Sequence, residues 1–360
     1  MKATGKVTVK DIAQRMGVSL STVNKALTGK SGISEKRRAE VIAAAREMGY
    51  EVNHVAQSLS RKPINIGIII PGGWQQYFAP IEQGMRYELE QLYQSNVGGE
   101  FCHIENSSDI AEALSLFEND AYDIIIYCPS LINVDERTAA IAADCKTPIM
   151  LVGADCSSLK SVCTVSIDTE LSGKMAADFL NIPLGGSGKV AVLMGSKLLD
   201  THISKTIAFI ERACELGLSV TDVHETGDDP DTMARCIKRT YEKCPDLGGI
   251  YVATGSVKPI VEFFADKPRE ARPYIVATDV YDDVRDGMKR GAVAATVFQN
   301  QVLMGRLAID CAYRYLVEKS SYSVTERKLS KRLYVTPHLF LPSNLDCFTS
   351  DDGNDYRKEQ

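Results

Sequence analysis

The 360-residue chain has a single tryptophan and five scattered histidines. It has no apolar run near the ~18 residues that a membrane-crossing helix needs. No partner membrane is therefore expected, and no metal site, since the histidines lack ligand spacing. Its ten cysteines contain no Cys-x-x-Cys pair, and several, such as Cys128 and Cys311, fall inside apolar stretches. With no secretory leader read at the start, they are expected to be reduced thiols acting as small hydrophobes in a cytoplasmic protein. No Gly-x-Gly-x-x-Gly follows the first apolar strand, so a dinucleotide site lacks its fingerprint. The run GGSGK at 185–189 fails as a phosphate loop. Pro183 stands at the place of its first glycine, Val190 at that of its Ser/Thr, and the run precedes a strand instead of following one. It is expected to be a turn, and Asp282-Asp283 to begin the helix before Gly287. Neither catalysis nor a cofactor is expected.

What the chain does have is an uneven charge. Residues 1–62 hold 12 Lys or Arg against 5 Asp or Glu, a net of +7 inside a protein whose overall charge is −6. The acidic whole conceals a basic head suited to a polyanion. Within it, TVKDIAQRMGVSLSTVNKAL (8–27) carries two short amphipathic helices. Thr8 is placed to cap the first, with Asp11 adding negative charge at its positive end. Val9, Ile12, Ala13 and Met16 recur at helical spacing. Gly17 supplies the turn and Ser19 a cap for Leu20 to Leu27. Leu20, Ser21, Asn24 and Lys25 share one side of that second helix, while Val23, Ala26 and Leu27 take the other. A third helix begins at Ser34. Helix pair and charge together predict a helix-turn-helix DNA-binding head over 1–52.

Residues 53–63 form the next unit. Asn53 can cap a short helix that Pro63 forbids from extending, with Val55, Ala56 and Leu59 on one side. Such a segment is too small to fold alone and would order on DNA; the same spacing also suits a plain linker.

Taken together, VTVKDIAQRMGVSLSTVNKAL and GISEKRRAEVIAAAREMGYEVNHVAQSLSRKPINIGIIIP resemble the head, hinge and first strand of lactose/galactose-repressor-type transcription regulators. The resemblance implies that Leu20, Ser21 and Lys25 face bases in the major groove, with Thr8, Ser19, Thr22 and Asn24 near phosphates. It implies that Ala56 and Leu59 enter the minor groove at the centre of a palindrome, Leu59 as a wedge. Lys25 stands where the family usually has arginine and lacks the bidentate fork, which changes the base expected at that step. A homodimer on a palindromic operator is the matching expectation.

From residue 64 onward, short β-branched runs such as INIGIII, DIIIYC, PIMLVG, KVAVLMG, GGIYVA and PYIVAT alternate with helical stretches. The pattern is α/β with parallel sheets buried on both faces. Some 280 residues of it exceed one comfortable sheet, so two lobes are expected. The resemblance implies a clamshell of the type I periplasmic-binding-protein kind. Lobe one is expected over about 64–163 plus 296–322, lobe two over about 164–295 plus 323–347, and a polar tail over 348–360.

Ligands of such sheets sit at strand carboxyl ends. Trp74, Tyr77 and Phe78 follow the first strand and offer aromatic faces to a sugar or a flat base. Asp155, Asp279 and Gln299 follow later strands and suit a polyhydroxylated ligand; His202 lies in a loop within reach of one. The resemblance matches Asp279 and Gln299 to family ligand contacts and Phe78 to an aromatic position of the near lobe, while Lys205 departs by standing where an arginine is common. Other positions depart: Ala208, Cys156 and Thr254-Gly255 replace a glycine, an arginine and an Asn-Asp pair. The reading is a repressor controlled by a sugar or sugar derivative. Two alternatives stay open: a purine-like corepressor stacking on Trp74, and a carbohydrate-processing enzyme fused to a DNA-binding head.

Overall fold

The structure is a computed structural model, described over residues 7–27, 32–50, 62–119, 121–132, 134–320 and 331–345. Asn53, Ala56, Leu59 and the polar tail lie outside the described residues.

Three helices build the head: α1 (Val9–Met16), α2 (Leu20–Leu27) and α3 (Glu35–Glu47). Ile12, Ala13, Val23, Ala26, Val41 and Ala45 close its small core, as the helical spacing requires.

The body holds two six-stranded sheets. Lobe one contains β1 (Ile64–Pro71), α4 (Gln75–Leu92), β2 (Val97–Ile104), α5 (Ser107–Phe117), β3 (Ile124–Tyr127), α6 (Glu136–Asp144), β4 (Ile149–Gly153) and β5 (Cys163–Ile167). Lobe two continues with α7 (Thr169–Leu184), β6 (Gly188–Met194), α8 (Asp200–Glu215), β7 (Leu218–Glu225), α9 (Pro230–Lys243), β8 (Leu247–Ala253), α10 (Lys258–Phe264), β9 (Tyr274–Thr278), α11 (Asp282–Lys289) and β10 (Ala295–Phe298). The chain then returns to lobe one as α12 (Gln301–Ser320) and β11 (Arg332–Val335), and ends in lobe two as β12 (His338–Phe340).

Strand order is β2-β1-β3-β4-β5-β11 in the first sheet, all parallel, and β7-β6-β8-β9-β10-β12 in the second, where only β12 runs antiparallel. The central strands read as unbroken apolar runs because helices cover both faces. Ile66, Ile68 and Ile70 enter the core under α4 and α12, while Ile69 faces Phe117 and the opposite layer.

Three lobe boundaries drawn from sequence need correcting. The segment 296–298 belongs to lobe two, because β10 pairs with β9; the return to lobe one comes only at α12. Conversely β5 and β11 pair with each other in lobe one, which moves 164–167 and 332–335 out of lobe two. All three crossings fall in gaps of one or two residues, too short to stand out as domain linkers.

Close helix contacts fix each lobe. A Cβ on Gly84 would lie 2.0 Å from the Val302 carbonyl oxygen, and one on Gly305 2.0 Å from that of Ile81, so α4 and α12 cross backbone to backbone. In lobe two, a Cβ on Gly173 of α7 would lie 2.1 Å from the Lys205 carbonyl of α8. Glycine alone permits these approaches. The expected turn at 185–189 is present: Gly185 and Gly186 take positive φ after α7 and β6 follows. Asp282-Asp283 opens α11 as expected.

Candidate functional site

The head carries the first candidate surface. Asp11 N–H donates to Thr8 Oγ1 at 3.4 Å, and Thr8 N–H donates to Asp11 Oδ2 at 2.8 Å, a reciprocal cap at the start of α1. Gly17, at φ 64°, ends that helix in the left-handed conformation. Thr22 N–H then donates to Ser19 Oγ at 3.1 Å and caps α2. With Val23 and Ala26 buried, Leu20, Ser21 and Asn24 stand exposed and Lys25 half-buried. Leu20 keeps 49 % of its surface in water at the very start of its helix. A small core has little reason to leave it there, whereas a reading helix needs an apolar contact for a thymine methyl. The Lys25 ammonium leans over Gly32, 3.2 Å from where a Cβ would sit.

The second surface is a cleft between the lobes, about 700 Å³ counted out to its open mouth. Its lining residues follow the carboxyl ends of strands from both sheets, around the positions where strand order reverses. Lobe one supplies Trp74 after β1, with Tyr77 and Phe78 on the first turns of α4, then Pro129, Ser130 and Leu131 after β3, and Gly153 and Ala154 at β4. Lobe two supplies His202 and Lys205 from α8, Asp228 after β7, Thr254 and Gly255 after β8, Asp279 and Tyr281 after β9, and Gln299 after β10.

Seven of the eight side chains expected from the sequence, Trp74, Tyr77, Phe78, His202, Lys205, Asp279 and Gln299, converge there. Asp155 does not. Gly153, at φ 91°, turns the chain at the end of β4, and the Asp155 carboxylate pairs with Arg332 at 2.6 Å. Two residues past the strand, it belongs to the seam beside β11. Sequence reading missed Asp228 and Tyr281 and noted Thr254 only as a departure from a family Asn-Asp pair. Tyr281 was within reach of inference, two residues after Asp279. Asp228 was not, because Gly227-Asp228-Asp229-Pro230 reads as a turn and helix cap.

The polar wall is interlocked. Gln299 Nε2 donates to Asp279 Oδ2 at 2.6 Å, Gln299 N–H to Asp279 Oδ1 at 3.0 Å, and Tyr281 OH to Asp279 Oδ2 at 3.0 Å. Burial pushes the Asp279 carboxyl up from its ordinary range, opposed by the Lys205 charge and by these donors. Burial likewise pushes the Lys205 ammonium down, opposed by Asp279 and Asp228. Asp228, at φ 61°, is held by the Gly255 N–H, and burial raises its carboxyl too. Its Oδ1 and the Thr254 hydroxyl are buried without a hydrogen-bond partner. His202 Nδ1 accepts the Ser196 N–H at 3.0 Å, and burial, then the Lys205 charge, pushes the ring down to about 3, so it is neutral with its proton on Nε2. Unpaired buried groups beside a cleft are what a hydrogen-bonding ligand would satisfy.

Two family models account for the chain: a periplasmic binding protein domain over residues 66–320, and the bacterial regulatory proteins of the lacI family over residues 8–53. The chain belongs to the lacI family of regulators, with a periplasmic binding protein domain as its body. Among relatives of this family, it is 28 % identical over 209 residues to the HTH-type transcriptional regulator pepR1 of Lactobacillus delbrueckii subsp. lactis, covering 57 % of this chain and 60 % of the relative. It is 26 % identical over 257 residues to catabolite control protein A of Priestia megaterium, covering 69 % and 74 %. Against catabolite control protein A of Streptococcus mutans the match, 25 % identical, covers 42 % of this chain and 45 % of the relative. The chain thus spans about half the length of two of these three relatives. Among solved structures, the glucose-galactose binding protein GanP of Geobacillus stearothermophilus superposes with a TM-score of 0.66 at 17 % identity, covering 79 % of this chain and 99 % of that one. A putative LacI transcriptional regulator of Bacteroides fragilis gives 0.62 at 14 %, covering 80 % and 100 %. At these identities the likeness establishes the fold. Among the described residues no helix is long and apolar enough to cross a membrane, and no cluster of His, Cys, Asp and Glu is arranged for a metal.

Proposed function

We propose that this regulator is a transcription repressor whose grip on operator DNA is set by a saccharide held between the two lobes. The exposed face of α2 enters the major groove, with Leu20, Ser21 and Lys25 on base edges and Thr8, Ser19, Thr22 and Asn24 near phosphates. A homodimer meets a palindromic operator, and the segment 53–63, with Asn53, Ala56 and Leu59, reads the minor groove between half-sites. The protein works in the cytoplasm, without a cofactor, and returns its ligand unchanged.

The observation that carries this reading is the joining in one chain of a capped α2 with an exposed polar face and a cleft whose charged groups come from α8 and the strand ends of lobe two. Alternating donors and acceptors, Lys205, Asp228, Thr254, Asp279 and Gln299, suit vicinal hydroxyls. Relatives named as a sucrose operon repressor and a ribose operon repressor support the saccharide class. Closure around the ligand changes the relation of the lobes, and with it the spacing of two heads on a palindrome.

Selection of genomic fragments by the full chain at physiological salt tests the reading. A shared palindrome with half-sites about one helical turn apart is expected. Fragments retained with no common motif would reduce the head to a nonspecific polyanion binder.

A further inference from the structure

The two walls of the cleft differ in chemistry. Among the described lining residues, every charged side chain and the one amide come from lobe two. Lobe one offers Trp74, Phe78, Pro129 and Leu131, and among its described lining residues the side-chain polar atoms are the hydroxyls of Ser130 and Tyr77 and the Trp74 indole Nε1–H, with no side-chain group that acts only as an acceptor. Ser130 Oγ already accepts the Ile132 N–H at 3.2 Å. The Tyr77 hydroxyl lies over Gly153, and the Asp279 charge bears on it from across the cleft. Trp74 is half exposed, at 51 %, and its ring edge reaches toward Gly255 and Tyr281 of lobe two. A sugar ringed by hydroxyls would find few side-chain partners on the lobe-one side, a loss on leaving water.

We infer that the ligand is a glycoside with an aromatic or aliphatic aglycone, its sugar hydroxyls held by Lys205, Asp228, Thr254 and Gln299 and its apolar aglycone seated against Trp74 and Leu131. The inference rests on the saccharide reading above and narrows it. A nucleoside shares the division into a hydroxylated and a flat half, but the edge of its base carries donors and acceptors. Lobe one has no amide or carboxylate among its described lining residues to meet them. An aglycone with no polar edge meets the wall as it stands.

The single tryptophan makes the test direct, since its fluorescence reports from inside the cleft. The full chain is titrated with free glucose, galactose, mannose and xylose, with the phenyl α- and β-glycosides of each, and with adenosine and cytidine. Calorimetry supplies the Kd values. At least one phenyl glycoside is expected to bind about tenfold or more tightly than its parent sugar, the gain from burying one aromatic ring against others. Trp74→Ala, at a half-exposed position, is expected to shrink that ratio toward one. Leu131→Ala is expected to shrink it in part. Asp228→Asn is expected to weaken phenyl glycoside and parent sugar alike, leaving the ratio in place.

A parent sugar binding as tightly as its phenyl glycoside would overturn the inference while leaving the saccharide reading intact. So would a ratio that survives Trp74→Ala. Binding by a nucleoside alone, or by none of these compounds, would overturn both.

Discussion

Gln299 grips Asp279 twice, through its side-chain amide at 2.6 Å and its own backbone N–H at 3.0 Å. The two residues close β9 and β10 at their carboxyl ends, so one carboxylate ties neighbouring strands together beneath the cleft. Gln299→Ala removes one donor and leaves the backbone bond. The carboxyl then moves further above its ordinary range, and the wall loses the amide aimed at the ligand. Saccharide affinity is expected to fall by at least tenfold, about 1.4 kcal/mol, while operator binding without ligand is unchanged. Loss of operator binding in the ligand-free variant would make the pair structural.

His202 makes stability depend on pH. Its folded-state value is pushed down to about 3, below the 6.5 of a histidine in water. The unfolded chain therefore takes up a proton that the folded chain refuses between those limits. The stability this group contributes is fully present above about pH 6.5 and is lost on acidification, by about 1.4 kcal/mol for each pH unit. Chemical denaturation at pH 7, 6 and 5 should give a shallower dependence in His202→Gln than in the wild type. Equal slopes would mean that the folded protein also protonates this ring.

Gly173 sets where Lys205 stands, because α7 passes so close to α8 that a Cβ would lie 2.1 Å from the Lys205 carbonyl and 2.8 Å from the Phe209 nitrogen. Gly173→Ala gains about 1 kcal/mol of helix propensity and must move a backbone to accommodate one methyl. A net loss of about 1–3 kcal/mol is expected on thermal unfolding, together with weaker saccharide binding as Lys205 shifts. An unchanged melting temperature would show the helix pair to be more compliant than its geometry indicates.

On the head, Lys25→Ala separates base reading from charge. Specific operator affinity should drop by more than nonspecific affinity, and the preference at one step of the half-site should relax. Equal losses on both DNAs would make Lys25 a phosphate contact.

The sequence disclosed most clearly those elements whose neighbours bury them on both sides. β1, β3, β4, β6, β8 and β9 are central strands with continuous apolar runs, and each was read close to its observed bounds. β2 and β7 lie at sheet edges: LSVTDVHE alternates in burial and VGGEFCHI is buried only at its two ends, so their apolar signal is weak. α4 begins at Gln75 and runs through Pro80, a residue that reads in sequence as a breaker and hides the first turns of the helix.

The same limit governed the cleft. Asp279 and Gln299 were legible because they end visible strands and resemble a known pattern. Asp228 follows an edge strand in a left-handed conformation, and no residue type announces that geometry. Asp155 was misjudged for the opposite reason: it follows a clear strand, but the turn at Gly153 sends it to Arg332.

The central claim is that the cleft governs the head. The most direct measurement is the affinity of the full chain for its selected palindrome, by fluorescence anisotropy, with and without a saturating saccharide that perturbs Trp74 fluorescence. Site-to-site coupling of the usual size predicts a change of about 5- to 150-fold in either direction, abolished in Gln299→Ala at the same ligand concentration. An operator affinity that stays constant while the cleft is demonstrably filled would contradict the account.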